Sequence, residues 1–258
     1  MIFFMIKKAF FDMWDNFLPI ILINLGFILV AALPIVLPPA VYPLHPVFGF
    51  IALFAGIIVF FLYTGTVSMI TSDIADYKKP EMKDVPKYFK ETWKSSLVLG
   101  VIMSFLGFIL SIAFPVYLNM GNLIGLLALV FLFWATVIWL LSSMYYFPIR
   151  SRLDTRIPKI IKKCFILFFD NTLFSLALAI AVIATFILSA LTAFLLPGIG
   201  SLLLLLQVAL KLRIYKYDYL EENPEANRRK IPWDALLIDD KQRVGKRTLR
   251  GMIFPWKE

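Results

Sequence analysis

The chain has 258 residues, of which 60% are hydrophobic and 25 are Phe, and it carries 26 Lys and Arg against 17 Asp and Glu, a formal net charge of +9. With a mean hydropathy of +0.82, this is more apolar material than a soluble core of this length can hide, which excludes an ordinary soluble domain and indicates an integral membrane protein. The single cysteine, Cys164, excludes an internal disulfide, and a basic excess of this size is the usual bias of membrane loops, so it requires no nucleic acid as partner.

In chain order, the first element is the segment MIKKAFFDMWDNF (5–17), which at helical spacing places Ile6, Ala9, Phe10, Met13 and Phe17 opposite Lys7, Lys8, Asp12 and Asp15. Such a helix is expected to lie in the membrane interface with its charges toward headgroups. A block free of Asp, Glu, Lys and Arg follows at 17–72. It is long enough for two passes of about 20 residues, and the turn LPPAVYPLHP (37–46) divides it into spans near 17–37 and 47–72. An N-terminal signal peptide is disfavoured, because the apolar stretch is too long and no small-residue cleavage site follows.

The design then repeats. VPKYFKETWKSSL (85–97) is a second amphipathic segment, followed by spans near 95–116 and 123–148 around the turn PVYLNMGN (115–122). IPKIIKKCFILFF (157–169) is the third, with Ile157, Ile160, Ile161, Cys164, Phe165 and Phe168 on one face, followed by spans near 171–195 and 199–215 around LPGIG (196–200). LGFILVAALP (25–34) returns as LGFILSIAFP (106–115) with seven of ten letters unchanged, and Pro86, Pro158 and Pro232 recur near the amphipathic segments, where a helix's first turn tolerates proline. The expected fold is therefore all-α and integral to the membrane. Six transmembrane helices form three hairpins within residues 1–217, each preceded by an amphipathic surface helix, and a basic tail follows at 218–258. Every Lys and Arg falls outside the hairpin tips, which places both termini in the cytoplasm.

The run 63–102 together with YYFPIRSRLDTRIPKIIKKCFILFFDNTLFSLALAI (145–180) resembles the YesL family of bacterial membrane proteins. The resemblance rests on a small-residue span leading to a basic loop, a Phe-rich surface helix and an FP…R.D exit, here Phe147, Pro148, Arg152 and Asp154. It implies a six-helix bacterial inner-membrane protein that assists carbohydrate uptake. The tail after Asp218 departs from the family pattern.

Chemistry is sparse in this sequence. One histidine, His45, stands in an uncharged turn, and no phosphate-binding glycine loop, HExxH or Ser/His/Asp set is present. No enzymatic activity, metal or cofactor is expected. Cys164 reads as a buried small hydrophobe, with reversible acylation the alternative. The spans offer polar groups, among them Asn24, Thr64, Thr66, Ser104, Thr136, Trp134, Ser142 and Gln207, for helix packing or for the path of a neutral solute. The tail combines cations with aromatic anchors: Trp233, Arg243, Lys246, Arg247, Arg250, Phe254 and Trp256 are the candidate contacts to anionic lipid or to a protein partner. Trp233 is expected to dock on the membrane domain, and the chain beyond Asp240 to run exposed. The reading is a non-enzymatic accessory or scaffold engaging lipid and a membrane or cytoplasmic protein. The alternative is a permease subunit or channel for a small neutral or carbohydrate solute.

Overall fold

The computed structural model describes residues 1–228, 230–245 and 247, apart from the Met82 side chain, and within them there is no strand. The helices are α1 (Ile2–Asp15), α2 (Phe17–Val41), α3 (Pro46–Ala75), α4 (Val85–Asn119), α5 (Leu123–Ser143), α6 (Tyr146–Arg152), α7 (Ile157–Asp170), α8 (Thr172–Leu191), α9 (Gly198–Glu222), α10 (Trp233–Leu236) and α11 (Ile238–Val244). α2, α3, α4, the α5–α6 stretch, α8 and α9 are long and apolar enough to cross a membrane.

Local chemistry sets the boundaries. His45 ends the first turn as the N-cap of α3, its Nδ1 accepting from Val47 N at 3.2 Å, with Pro46 behind it in a position that has no N–H to lose. Asn122 caps α5 in the same way, accepting from Gly125 N at 2.9 Å. Two further asparagines act as hinges. Asn16 (φ −116°, ψ 35°) separates α1 from α2, and Asn171 (φ −133°, ψ 44°) separates α7 from α8. Each turns its amide back on the preceding helix, Asn16 to Asp12 O at 2.9 Å and Asn171 to Leu167 O at 3.2 Å, which offers the backbone an alternative to helix. The second amphipathic segment has Lys-Ser-Ser where the others have Asp-Asn. With no such hinge, 85–97 is not a separate helix but the first turns of the 35-residue α4.

α3 is the central post, packed against α2, α4, α6 and α9. Its glycines make this possible. A Cβ at Gly65 would run into Ser96 and lie 3.1 Å from the Phe147 ring, and one at Gly56 would lie 2.7 Å from Pro34 N, so backbone contacts backbone where the bundle is tightest. The buried core lies toward one end, where Phe27, Ile74, Leu99, Tyr145, Tyr146, Leu204 and Leu210 meet. Long stretches of α2, α4 and α5 away from that end are exposed apolar surface.

The α8–α9 pair is short relative to its neighbours. The loop joining it is held by Asn24 in α2: the amide donates to Leu195 O at 2.9 Å and Pro197 O at 2.8 Å, and its carbonyl accepts from Gly200 N at 2.8 Å. α2 continues from there to Val41, a further seventeen residues or about 25 Å at helical rise. At the other end Lys211 of α9 already pairs with Asp76, just past the end of α3. The reason lies in composition: the apolar part of α9 ends at Leu210, and Lys211, Arg213 and Lys216 belong to the charged end of the molecule.

The structure also corrects the orientation expected of α1. Lys8 (0% exposed) and Asp12 (3%) face inward, whereas Ile6 and Phe17 are exposed. The i,i+4 ion pair between Lys8 and Asp12, at 2.7 Å, is drawn to Asp240 on another element, so the buried face carries it together with Ala9 and Met13 of the expected apolar stripe, while Ile6 and Phe17 are left outside. Asn24→Ala should lower thermal stability in detergent by about 1–3 kcal/mol, because Leu195 O and Gly200 N lose their side-chain partner and Pro197 O is left with Ser201 Oγ. Gly107→Ala is the matched control: a Cβ there meets nothing within 4 Å, and the change should be neutral or stabilising by about 0.5–1 kcal/mol.

Candidate functional site: a charged cluster where the tail meets the bundle

Three cations and three carboxylates converge at the compact end of the bundle. Arg152, at the end of α6, donates Nη1 to both oxygens of Asp76 (2.8 and 3.0 Å), Nη2 to Ser72 O (3.1 Å) and Nε to Gln207 Oε1 (3.0 Å). Gln207 in turn donates to Ser68 O at 3.0 Å and Ser68 Oγ at 2.8 Å, which ties α9 to α3 inside the core. Lys211 bridges Asp76 (3.2 Å) and Asp240 (3.5 Å) and donates to Ala75 O at 3.0 Å. Lys8 bridges Asp12 (2.7 Å) and Asp240 (3.6 Å). The side chains of Lys8, Asp12 and Asp240 are nearly inaccessible, so the pairing offsets a large desolvation cost rather than adding surface stability.

Tyr77 organises this cluster. It holds φ +61° just after α3, with Lys78 N donating to Asp73 O and Tyr77 N to Ile74 O, both at 2.9 Å. This is the helix-terminating position that glycine usually takes, and a tyrosine there costs about 1 kcal/mol or more of backbone strain. The ring compensates. It lies 3.7 Å from Lys8 Nζ and 4.6 Å from the Arg243 guanidinium, and its hydroxyl donates to Asp240 Oδ1 at 2.8 Å.

Burial pushes the Asp12 carboxyl up to about 6, with Lys8 opposing the shift. Burial likewise lowers Lys8, against the pull of Asp12 and Asp240. For Asp240, burial acts upward, but Lys211, Tyr77 and Lys8 together hold it below the usual carboxylate range. Beside the cluster opens a pocket of about 400 Å³, bounded by Asp76, Arg152, Lys211, Tyr215 and Arg243. It presents hydrogen-bonding and charged groups, and no group of three or more His, Cys, Asp or Glu able to hold a metal occurs among the described residues.

The residues singled out in the sequence separate into distinct places. Arg152 and Arg243 share the pocket. Phe147 and Pro148 are buried in α6. Asp154 caps the chain entering α7, accepting from Arg156 N at 3.1 Å and Lys163 Nζ at 3.2 Å; the backbone bond and then Lys163 hold its carboxyl below the usual range. Trp233 packs near Arg213, 5.6 Å from the guanidinium. Arg247 pairs with Asp15 at 2.8 Å and lies over the Phe11 ring at 4.7 Å. Lys246, Arg250, Phe254 and Trp256 lie outside the described residues. Cys164 is 2% exposed and its thiol is pushed up to about 12 by burial, so it is not presented for acylation.

Of the described residues beyond Asp240, Lys241, Gln242, Arg243, Gly245 and Arg247 are exposed as expected, but the segment is tethered to the bundle rather than free. α11 buries Asp240 and Val244, and Lys7 Nζ reaches Gly245 O at 3.2 Å. The stretch that follows Pro232 is two short helices broken at Leu237, which is itself buried. Sequence reasoning also missed Lys8, Asp12, Tyr77 and Lys211 as a group. The available signals were an i,i+4 Lys–Asp pair in α1 and a lysine at the first position after a charge-free block. No protein-family model, curated protein or solved structure matches the chain.

Asp12 takes up a proton in the folded chain near pH 6 but in the unfolded chain only near its ordinary value of about 4. Its contribution therefore makes the fold more stable as pH falls from 6 to 4. The contribution of Asp240 is present above its ordinary value and is lost as pH falls through its lowered one. Melting temperature in detergent should hold or rise between pH 6 and 4 and collapse below about 4, and Asp12→Asn should abolish the upper part of that profile while keeping the collapse.

Proposed function

We propose that the chain is a non-enzymatic accessory or scaffold protein of a bacterial inner membrane, as its resemblance to the YesL family implies. In this reading, six spans form three hairpins, each opened by an amphipathic segment; both termini are cytoplasmic, and the cytoplasmic face engages anionic lipid and a membrane or cytoplasmic protein that serves carbohydrate uptake. The observation that carries it is the docked tail. α10 and α11 are held to the bundle by Asp240 between Lys8, Lys211 and Tyr77, so the C-terminal segment forms part of a built surface with the charged pocket beside it. The polar groups of the spans support the same reading. Asn24 and Gln207 bond other elements of this chain, and Thr64, Thr66 and Thr136 bond carbonyls four residues back in their own helices, which is helix packing rather than the lining of a path.

One observation favours the permease alternative. Ser96, Ser104, Trp139 and Ser142, on α4 and α5, keep buried polar atoms without a hydrogen-bond partner, and such groups are what the hydroxyls of a neutral solute would bond.

Two experiments separate these readings. A cytoplasm-active reporter fused after Leu220 and a periplasm-active reporter inserted near His45 or Asn119 should both be active, and the opposite pattern removes the topology. Purification from the native host in mild detergent should recover a stoichiometric protein partner. Because the docked tail extends to Arg247, the informative truncation begins at Thr248: it should leave melting temperature within about 1–2 °C of the full chain while weakening partner recovery, whereas Trp233→Ala should lower it by several degrees through lost packing. Solute uptake by the purified protein alone in liposomes, with no partner recovered, would favour the permease instead.

A further inference from the structure

Two cavities along α1 and α8 take no part in the cluster around Asp240. The first, about 340 Å³, opens beside Ile2 and Leu173 and is walled by Arg213, Lys216 and Arg228, with Trp233 at its edge. Arg213 is 7% exposed. Its Nη1 donates to Asn171 Oδ1 at 3.0 Å and its Nη2 to Met1 Sδ at 3.2 Å, its Nε has no partner, and the Phe174 ring lies 3.6 Å from the guanidinium. Among the described residues no carboxylate lies within ion-pair distance of it; Asp170 pairs with Lys216 at 3.3 Å instead. Three cations thus face one carboxylate. A guanidinium withdrawn from water without an anion is costly, and the pocket is electrostatically complete only when it holds negative charge.

The second cavity, about 390 Å³ and almost wholly apolar, lies further along the same two helices, between Ile6, Phe10 and Trp14 of α1 and Ala181, Ala184 and Leu188 of α8. On α8, Leu173, Ala177, Ala181, Ala184 and Leu188 follow one another at three or four residues, as Ile2, Ile6, Phe10 and Trp14 do on α1. Both cavities therefore fall on one seam. The cationic one lies toward the charged end and the apolar one toward the loop at 192–197. The nearest lining residues of the two, Ile2 and Ile6 on α1 and Phe174 and Ala181 on α8, are about 6–11 Å apart at helical rise, the distance of a phosphate from the upper part of its acyl chain.

We propose that this seam holds one phospholipid, with its phosphate among Arg213, Lys216 and Arg228 and one acyl chain along the alanines, and that the excess positive charge selects an anionic headgroup over a zwitterionic one. Guanidinium and ammonium groups on phosphate are the interactions these side chains form best, and an interfacial tryptophan lies where headgroups begin. The inference rests on the membrane setting proposed above and makes its general lipid contact specific, a single site on an otherwise fluid annulus.

The test is native mass spectrometry of the full chain released from nanodiscs of equimolar phosphatidylglycerol and phosphatidylcholine. One phosphatidylglycerol per chain should be retained in preference to phosphatidylcholine. Arg228→Gln, an exposed position, should reduce retention by about fivefold, the value of one cation at a membrane surface. Ala181→Phe should fill the apolar cavity and abolish retention, with Ala184→Leu as the second variant should the first fail to fold, and Lys159→Gln on the outer face of α7 should change nothing. Equal retention of the two lipids, or retention unaffected by both Arg228→Gln and an alanine variant that folds, would overturn the proposal. Displacement by glycerol phosphate at comparable affinity, with the alanine variants silent, would overturn it in favour of a free phosphate ester. Partner recovery is unaffected by any of these outcomes, so failure here is distinguishable from failure of the scaffold reading.

Discussion

Asp240 is the anion on which the organisation of the charged end depends. Lys8 and Lys211 are withdrawn from water on α1 and α9; each has a carboxylate of its own, Asp12 and Asp76, and Asp240 from the tail is the one carboxylate that both share. The tail is therefore not an appendage attached after the bundle has formed. It completes a neutral set of three cations and three carboxylates, and in doing so it fixes how α1, α3, α9 and α11 meet. Tyr77 reports the same constraint from the other side: a non-glycine residue persists at positive φ because its ring and hydroxyl are needed between Lys8, Arg243 and Asp240.

A second organising device works within the apolar part. Buried backbone groups need hydrogen-bond partners, and at the chain reversal between α8 and α9 a neighbouring helix supplies them. Asn24 supplies three hydrogen bonds to it at once, and Ser189 Oγ adds another by accepting from Gly198 N at 2.9 Å. One asparagine in a charge-free helix thus sets where the third helix pair ends, much as Asn16 and Asn171 set where the amphipathic helices end.

Much of this was legible in the sequence. Charge-free blocks, prolines and turn residues indicated six long apolar helices, because hydropathy and turn chemistry act locally, although α4 starts ten residues before the expected span and α9 runs seven residues past it. Pro86 and Pro158 stand in first helical turns, and Pro115 is carried inside α4. What was not legible depended on partners far away in the chain. Lys8 and Asp12 read as a solvated face, since nothing nearby announces the carboxylate more than two hundred residues later that draws them inward. The repeated LGFIL likewise conceals two environments: Gly26 is pressed against Tyr63, while Gly107 faces open space. Arg152 was found through the family-like exit motif, but its partners Asp76 and Gln207 lie 76 and 55 positions away and carried no signal of their own.

The shortness of the α8–α9 pair gives the molecule unequal halves. A section through the charged half cuts all six long helices and α1, whereas a section beyond the loop at 192–197 cuts only α2 to α5. In the proposed orientation the protein is a wedge that displaces more lipid area from the cytoplasmic leaflet than from the opposite one. Such a shape couples to bending: the chain is more stable where the membrane curves toward its narrow side, and several copies gathered around a partner would impose that curvature themselves.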